Sequence, residues 1–503
     1  MLRMNGTDVP KKRRSPWCLP YLVGGLALAG AAVAEQAETA DANEAERHGA
    51  EARTTYRIIN LGPGQREGAV INASGQVAFS VFTDFDSPIR AWFYDGTAAR
   101  DIGTLGGPFA NVTGLNDAGQ VVGASYRDSA ASGLHAFVWS TGSGMVDIGT
   151  LPGATYTLYP VINNRGEVAG DSGGIPTPYP HAFRWTAAGG MENLGGLMTG
   201  ADSISYARAI NDAGLIAGNS LTTTLTGAYA YHAFAWTRST GMIDIDTLGN
   251  GYSVAVAVGA KGQVAGNFFV RPVNYPSGFI WTRASGMRAL GTGGICSEVR
   301  AMSASGQVAG DICQPGGLGN HAMTWTQAGG MVDLGTLGGT RSFAFSANNK
   351  GQVVGGALTT NDDEVHAFVW TAKDGMIDLN KRLRDAPAGL TLFEALAISD
   401  NGSIVANSNA GLVLLTLRRG QQGGHAVGPI AAADLAQVGA PFDASVSFAA
   451  EDHAAKHNVI WSWGDGSGDR AGNARARNGA GSASGSHTYT TPGIYMVTAN
   501  VVD

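Results

Sequence analysis

The chain has 503 residues, with 33 Lys+Arg against 40 Asp+Glu, 74 glycines and three cysteines. Glycine at about twice the ~7% of an average protein is incompatible with a helix-rich fold, because each interior glycine costs a helix roughly 1 kcal/mol relative to alanine. The hydrophobic fraction of 44% excludes a disordered chain, and the net charge of −7 gives no electrostatic reason to bind nucleic acid.

At the N-terminus, Lys11, Lys12, Arg13 and Arg14 precede an apolar run from Leu19 to Ala34 that closes in Ala32-Val33-Ala34. A basic segment, a short apolar stretch and small residues at a cleavage point make residues 1–34 a signal peptide. The mature chain then starts at Glu35 and is secreted, periplasmic or held at a bacterial cell surface, without a membrane span. The alternative is an uncleaved anchor, although the run is short for the ~20 residues of a span. Residues 35–54 read as a flexible linker.

From residue 55 the chain repeats itself. A turn unit recurs, as in Asn72-Ala73-Ser74-Gly75, Asn116-Asp117-Ala118-Gly119, Asn163 to Gly166 and Asn211 to Gly214. Further copies end at Gly262, Gly306, Gly351 and Gly402, and successive glycines lie 44 to 51 residues apart. Asn or Asp opening such a turn bonds its own backbone, and glycine takes the left-handed conformation at little cost. A short strand such as Gln120-Val121-Val122-Gly123 follows each turn. A third strand reads His135-Ala136-Phe137-Val138-Trp139, His181 to Trp185, His232 to Trp236 and His366 to Trp370, with weaker copies ending at Trp281 and Trp325. Alternation places His, Phe and Trp on one face, and apolar residues on both faces suit a sheet packed between two others. A fourth strand is seen in Met145-Val146-Asp147 and Met331-Val332-Asp333.

Four short antiparallel strands per unit are the signature of a propeller blade. There are eight turn units, but the last lacks a fourth strand, and Tyr56 to Gly62 looks like an orphan fourth strand. The expectation is an all-β, eight-bladed propeller of four-stranded blades over 55–418, closed by the N-terminal strand beside 411–417. A β-solenoid is the competing architecture. These residues resemble the bacterial extracellular HAF-repeat family, which implies an exported repeat architecture and no defined reaction. The histidine is missing from copies one, five and eight, which argues against a chemical role for it.

Cys296 and Cys313 flank the sixth turn symmetrically, so a hairpin there brings them opposite each other and predicts a disulfide in an oxidising compartment. A one-residue register slip would separate them.

After a linker at 419–427 the composition changes. Trp461-Ser462-Trp463-Gly464-Asp465-Gly466, then His487-Thr488-Tyr489, then Pro492-Gly493-Ile494-Tyr495 lead to an alternating final strand. Residues 428–503 resemble a PKD domain, an immunoglobulin-like β-sandwich, with Ser462 where the family usually carries Asp. Residues 469–486, rich in Gly, Ala, Ser and Arg, read as a long flexible loop.

No nucleophile elbow, HExxH, phosphate loop or CxxC pair is present. The recurring histidines are too far apart in a large ring to share a metal, His453 and His457 fall in a loop, and the turns carry too few carboxylates for calcium. No catalytic, cofactor or metal residue is therefore expected. Trp139, Trp185, Trp236, Trp281, Trp325 and Trp370 read as blade core rather than sugar platforms. The leading expectation is a monomeric, non-enzymatic platform for an extracellular protein or glycan, with an adhesion component as a variant. The alternative is a polysaccharide hydrolase or lyase, whose mark would be two carboxylates about 5–10 Å apart at the propeller mouth.

Overall fold

The computed structural model describes residues 54–502 except 63–64, 83–87, 131–132, 175–178, 201–202, 224–226, 247, 249–250, 271–274, 292–295, 315–318, 385, 419–426, 433–436, 450–457, 464–466, 468–469, 478–479 and 491–496. The expected signal at 1–34 and nearly all of both linkers lie outside the described residues. So do His453, His457, Gly464, Asp465, Gly466, Gly493 and Tyr495.

Each turn unit joins two antiparallel strands, and each His-Ala-Phe and Met-x-Asp segment adds one more. β1 (Thr55–Asn60) comes first in the chain. Sheet one holds β2 (Gln65–Ile71), β3 (Val77–Phe82), β4 (Arg90–Tyr94) and β5 (Ala99–Asp101). Sheet two holds β6 (Ala110–Leu115), β7 (Val121–Tyr126), β8 (Leu134–Ser140) and β9 (Gly144–Asp147). Sheet three holds β10 (Tyr156–Ile162), β11 (Val168–Gly173), β12 (His181–Thr186) and β13 (Gly190–Asn193). Sheet four holds β14 (Ser205–Ile210), β15 (Ile216–Thr223), β16 (Tyr229–Thr237) and β17 (Gly241–Asp244). Sheet five holds β18 (Ser253–Val258), β19 (Val264–Val270), β20 (Tyr275–Thr282) and β21 (Gly286–Ala289). Sheet six holds β22 (Ser297–Met302), β23 (Val308–Cys313), β24 (Asn320–Thr326) and β25 (Gly330–Asp333). Sheet seven holds β26 (Gly338–Ala347), β27 (Val353–Thr359), β28 (Val365–Thr371) and β29 (Gly375–Asp378). Sheet eight holds β30 (Leu392–Ile398), β31 (Ile404–Ser408) and β32 (Gly411–Arg418), with β1 as its fourth strand. The register of that last pair runs from Thr55 opposite Arg418 to Asn60 opposite Val413.

The result is an all-β, propeller-like series of four-stranded antiparallel sheets. Its core lies between sheets: Val122, Ala136 and Val138 of sheet two pack on Val168 and Phe183 of sheet three, and the pattern recurs along the series. Val77, Phe79 and Tyr94 of sheet one share a cluster with Val405, Leu412 and Leu414 of sheet eight. The first strands of successive sheets touch, and β2 touches β30.

Every first strand carries a β-bulge, for example between Val112 and Gly114, Ala207 and Ala209, and Val299 and Ala301. The bulge pushes a first-strand carbonyl towards the second strand. A Cβ at Gly123 would sit 1.8 Å from the Asn111 carbonyl oxygen and 2.9 Å from the Phe137 ring, and Gly355 is confined in the same way by Phe343 and Phe368. The second-strand glycine and the phenylalanine of His-Ala-Phe are therefore one packing unit. Across β8 and β9, Trp139 faces Met145, and the same Trp–Met pairing recurs in sheets three to seven.

The six C-terminal strands are β33 (Val427–Ala432), β34 (Pro441–Ala449), β35 (Asn458–Ser462), β36 (Arg470–Arg477), β37 (Ala480–Thr488) and β38 (Thr498–Val502). They run in the order β33-β34-β37-β36-β35-β38, around a core that includes Phe448, Trp461, Trp463 and Tyr489. The flexible loop expected at 469–486 is instead largely the β36–β37 hairpin. Its small residues have a packing reason: added Cβ atoms at Gly481 and Gly485 would strike the rings of Phe448 and Trp461 at 2.1 and 2.8 Å. Glycine under an aromatic ring reads as loop composition in one dimension and as strand in three.

Candidate functional site

The two ends of the sheets are built differently. At one end lie the turns, where all eight glycines (Gly75, Gly119, Gly166, Gly214, Gly262, Gly306, Gly351 and Gly402) have φ between 74 and 95°. The turn asparagines also link the sheets: the side-chain amides of Asn72, Asn116 and Asn163 donate to the carbonyls of Asn116, Asn163 and Asn211 at 3.1, 3.0 and 2.9 Å. This end is occupied by structural bonding.

At the opposite end, the recurring histidines pair with the carboxylate of the fourth strand. His135, His232, His321 and His366 reach Asp147, Asp244, Asp333 and Asp378 through Nδ1 at 2.8 to 3.0 Å. His181 meets Asn193 instead, and in sheet one Arg90 substitutes, 2.9 Å from Asp101. The Asp244 hydrogen bond raises the His232 pKa against the opposing effect of burial. The aspartates also accept from the chain beyond, as when Gly149 N–H donates to Asp147 at 2.7 Å. Next to the histidine, the Ala136 and Ala182 N–H groups donate to Thr157 and Ser205, both fully buried in the first strand of the following sheet. Among the described residues, no group of three or more His, Cys, Asp or Glu is arranged to hold a metal.

Cys296 and Cys313 are joined by a disulfide, with Cα atoms 5.4 Å apart. The turn between them spans 303–307, since Met302 pairs with Val308, and without compensation Cys296 would miss Cys313 by one residue. The bulge at Arg300 supplies the missing residue, so that Ser297 faces Ile312 and the cysteines become opposite.

The tryptophans offer no open platform. Trp139, Trp236 and Trp281 are buried, and Trp185, Trp325 and Trp370 are half-buried against the preceding sheet. In the C-terminal domain Trp461 and Trp463 are buried and stacked at 5.4 Å, with His487 against Trp463 and the Tyr489 hydroxyl donating to the Trp463 carbonyl.

The exposed aromatic surface lies elsewhere. All five exposed tyrosines among the described residues, Tyr159, Tyr179, Tyr229, Tyr252 and Tyr275, fall in or beside sheets three to five. Tyr159 sits in the β10 bulge at φ 50°, a left-handed conformation uncommon for a bulky residue, and is 58% exposed. Its ring and that of Tyr206 lie 5.0 and 5.1 Å from the Arg208 guanidinium, close enough for cation–π attraction to both. Arg208 occupies the β14 bulge, and its Nη1 donates to Asp171 at 2.7 Å and to the Ala207 carbonyl at 2.9 Å. Burial pushes the Asp171 carboxyl up to about 6 despite the pull of Arg208. From Tyr206 the aromatics continue to Tyr231 at 6.0 Å, Tyr252 at 6.3 Å and Phe269 at 5.0 Å. Burial, the neighbouring Tyr231 and a hydrogen bond with its hydroxyl push the Tyr206 phenol up to about 12.

A second arginine lies in sheet six. Arg300 donates through Nε to Asp311 at 2.6 Å and through Nη2 to Glu298 at 3.3 Å, with the Phe343 and Phe345 rings each 5.9 Å away. Sequence reading missed both clusters because these residues stand outside the repeat consensus. The signal was present as departures from it: Tyr229 and Tyr231 precede His232, where Leu134, Pro180, Asn320 and Val365 precede the other histidines.

No protein-family model and no curated protein matches the chain. Among solved structures, it is similar to TolB from Acinetobacter baumannii at 11% identity and TM-score 0.34, covering 51% of this chain and 62% of that one. It is similar to Porphyromonas gingivalis dipeptidyl peptidase 4 at 11% identity and TM-score 0.42, covering 68% and 57%. A third likeness is to Kuenenia stuttgartiensis hydrazine synthase, at 9% identity and TM-score 0.32, covering 60% and 42%. The first two are β-propeller proteins, and the chain spans less than two thirds of each. Scores this low carry no argument about activity or ligand. Among the described residues, no helix is long and apolar enough to cross a membrane.

Proposed function

We propose that the chain is an exported binding protein of the HAF-repeat type, without catalytic activity. In this reading its eight sheets are the blades of one closed propeller and its C-terminal sandwich is a PKD-like spacer. Closure is supported by β1 completing sheet eight, by β2 against β30, and by the apolar cluster shared by sheets one and eight. The observation that carries the functional part is the strained, exposed Tyr159 stacked on Arg208. Non-glycine residues at positive φ persist where the surroundings hold them, and they concentrate at ligand sites. The turn end is committed to bonds between sheets, which leaves the aromatic end for a ligand.

For the hydrolase alternative, Glu298 and Asp311 lie opposite each other in β22 and β23 as a candidate pair among the described residues. Both are already engaged by Arg300, which bridges them as ion-pair partner at 3.3 and 2.6 Å. Asp171 has a raised pKa, but its ionic partner is Arg208 rather than a second carboxylate. The test is to incubate the purified mature chain with insoluble plant and microbial wall polysaccharides. Retention on the solid without release of reducing ends is expected, and release of reducing ends overturns the non-enzymatic reading. Export is tested by deleting residues 1–34, which should hold the protein in the cytoplasm.

A further inference from the structure

Resting on the binding-platform reading and deepening it, we propose that the tyrosine and arginine face of sheets three to five binds an uncharged glycan chain. Three features point to that ligand class. The exposed apolar side chains grouped here are mainly tyrosines, which offer a ring face for the C–H side of a sugar and a hydroxyl for its polar edge. The aromatic line runs from Tyr159 on β10, across Arg208 to Tyr206 and Tyr231, and on to Tyr252, so it crosses three sheets and suits an extended ligand. Tyr229 and Tyr231 stand on the second-to-third-strand ladder that is longest among the described residues, where β15 and β16 pair as far as Thr223 opposite Tyr229.

The charge balance decides between glycan types. Arg208 is paired with the buried Asp171 at 2.7 Å, so the cluster contributes one positive and one negative charge. An acidic polysaccharide would gain attraction from Arg208 only by competing with Asp171. Arg208 is also held between two rings and fixed to the Ala207 carbonyl, so its remaining N–H donors are presented in a set orientation. Fixed neutral-pair donors beside aromatic faces recognise hydroxyl groups.

Tyr159 allows binding to be separated from folding. Tyr159→Gly removes the ring and relieves the positive φ, so it should melt no lower than the parent chain. Tyr252→Ala removes a half-exposed ring at the far end of the line. Affinity electrophoresis of the full mature chain would use laminarin, galactomannan and xylan as uncharged probes, with alginate and polygalacturonate as acidic ones. At least one uncharged probe should retard the chain, and each variant should weaken that retardation about tenfold or more, as for an anchoring aromatic. Stronger retardation by the acidic probes, or none by the uncharged ones, overturns the ligand class. Full retardation of both folded variants overturns the site. Cleavage of a probe overturns the non-enzymatic reading, and that outcome is distinguishable because binding and variant sensitivity can persist beside it.

Discussion

The fifth turn lacks the asparagine that the first four carry, and the structure records the consequence. In the intact copies one amide does three things. In the second turn, Asn116 Nδ2 donates to Gln120 Oε1 at 2.8 Å and to the Asn163 carbonyl at 3.0 Å, while its Oδ1 accepts from Gln120 N–H at 2.9 Å. Gly259 stands at that position in the fifth turn, and Gln263 Oε1 is left buried without a partner. Gly259→Asn should restore all three bonds. Gly259 is outside the positive-φ region, and the nearest atom to an added Cβ is the movable Gln263 Oε1 at 2.7 Å. Three hydrogen bonds at roughly 0.5–1.5 kcal/mol each, with about 0.5 kcal/mol from stiffening the unfolded chain, less about 1 kcal/mol of side-chain ordering, leave a gain of about 2 kcal/mol. In a melting experiment that is a rise of about 2–3 °C for a domain this large. Gly259→Ala is the control, since it gains only the stiffening. If Gly259→Asn melts no higher than Gly259→Ala, the turn amide does not link the sheets as described.

Three further perturbations follow from the packing. Tyr56 is 2% exposed in the cluster between sheets seven and eight, so Tyr56→Ala should cost about 3–4 kcal/mol, and hydrogen exchange should show β1 losing protection first. Asp171 binds its proton more tightly folded than unfolded, so its contribution to stability falls as pH rises from about 4 through about 6. Asp171→Asn should remove that slope and raise stability at pH 7 by up to about 3 kcal/mol, read from denaturant midpoints across the range. Cys296→Ser with Cys313→Ser opens a link of sequence separation 17 and should cost about 3 kcal/mol, as should reduction of the parent chain.

The repeat was legible because its signals are local. Turn glycines, alternating strands and the Met-x-Asp segment each depend on a few adjacent residues. The sequence distance from each recurring histidine to its partner, 12 residues in His135–Asp147 and in His366–Asp378, was equally regular, yet its meaning required the pairing of the third and fourth strands. The bulges were invisible because an unpaired residue leaves no compositional mark, and they decide both where Arg208 and Tyr159 project and whether Cys296 meets Cys313. The β36–β37 hairpin was misread for a related reason. Gly481 and Gly485 are selected by Phe448 and Trp461, rings more than twenty residues away in the chain.

The central claim is that the series of sheets returns on itself. Spin labels can be placed at Ala73, Asp117 and Asp400, on the first, second and eighth turns, in a chain carrying Cys18→Ser with Cys296 and Cys313 kept oxidised. Ala73 and Asp117 are in direct contact between neighbouring sheets, with a 2.9 Å hydrogen bond between them, and Gly75 lies beside Asn401 of the eighth turn. Dipolar spectroscopy should therefore give a 73–400 distance similar to the 73–117 distance. A 73–400 distance far longer than the 73–117 distance would mean an open series, and would contradict the account.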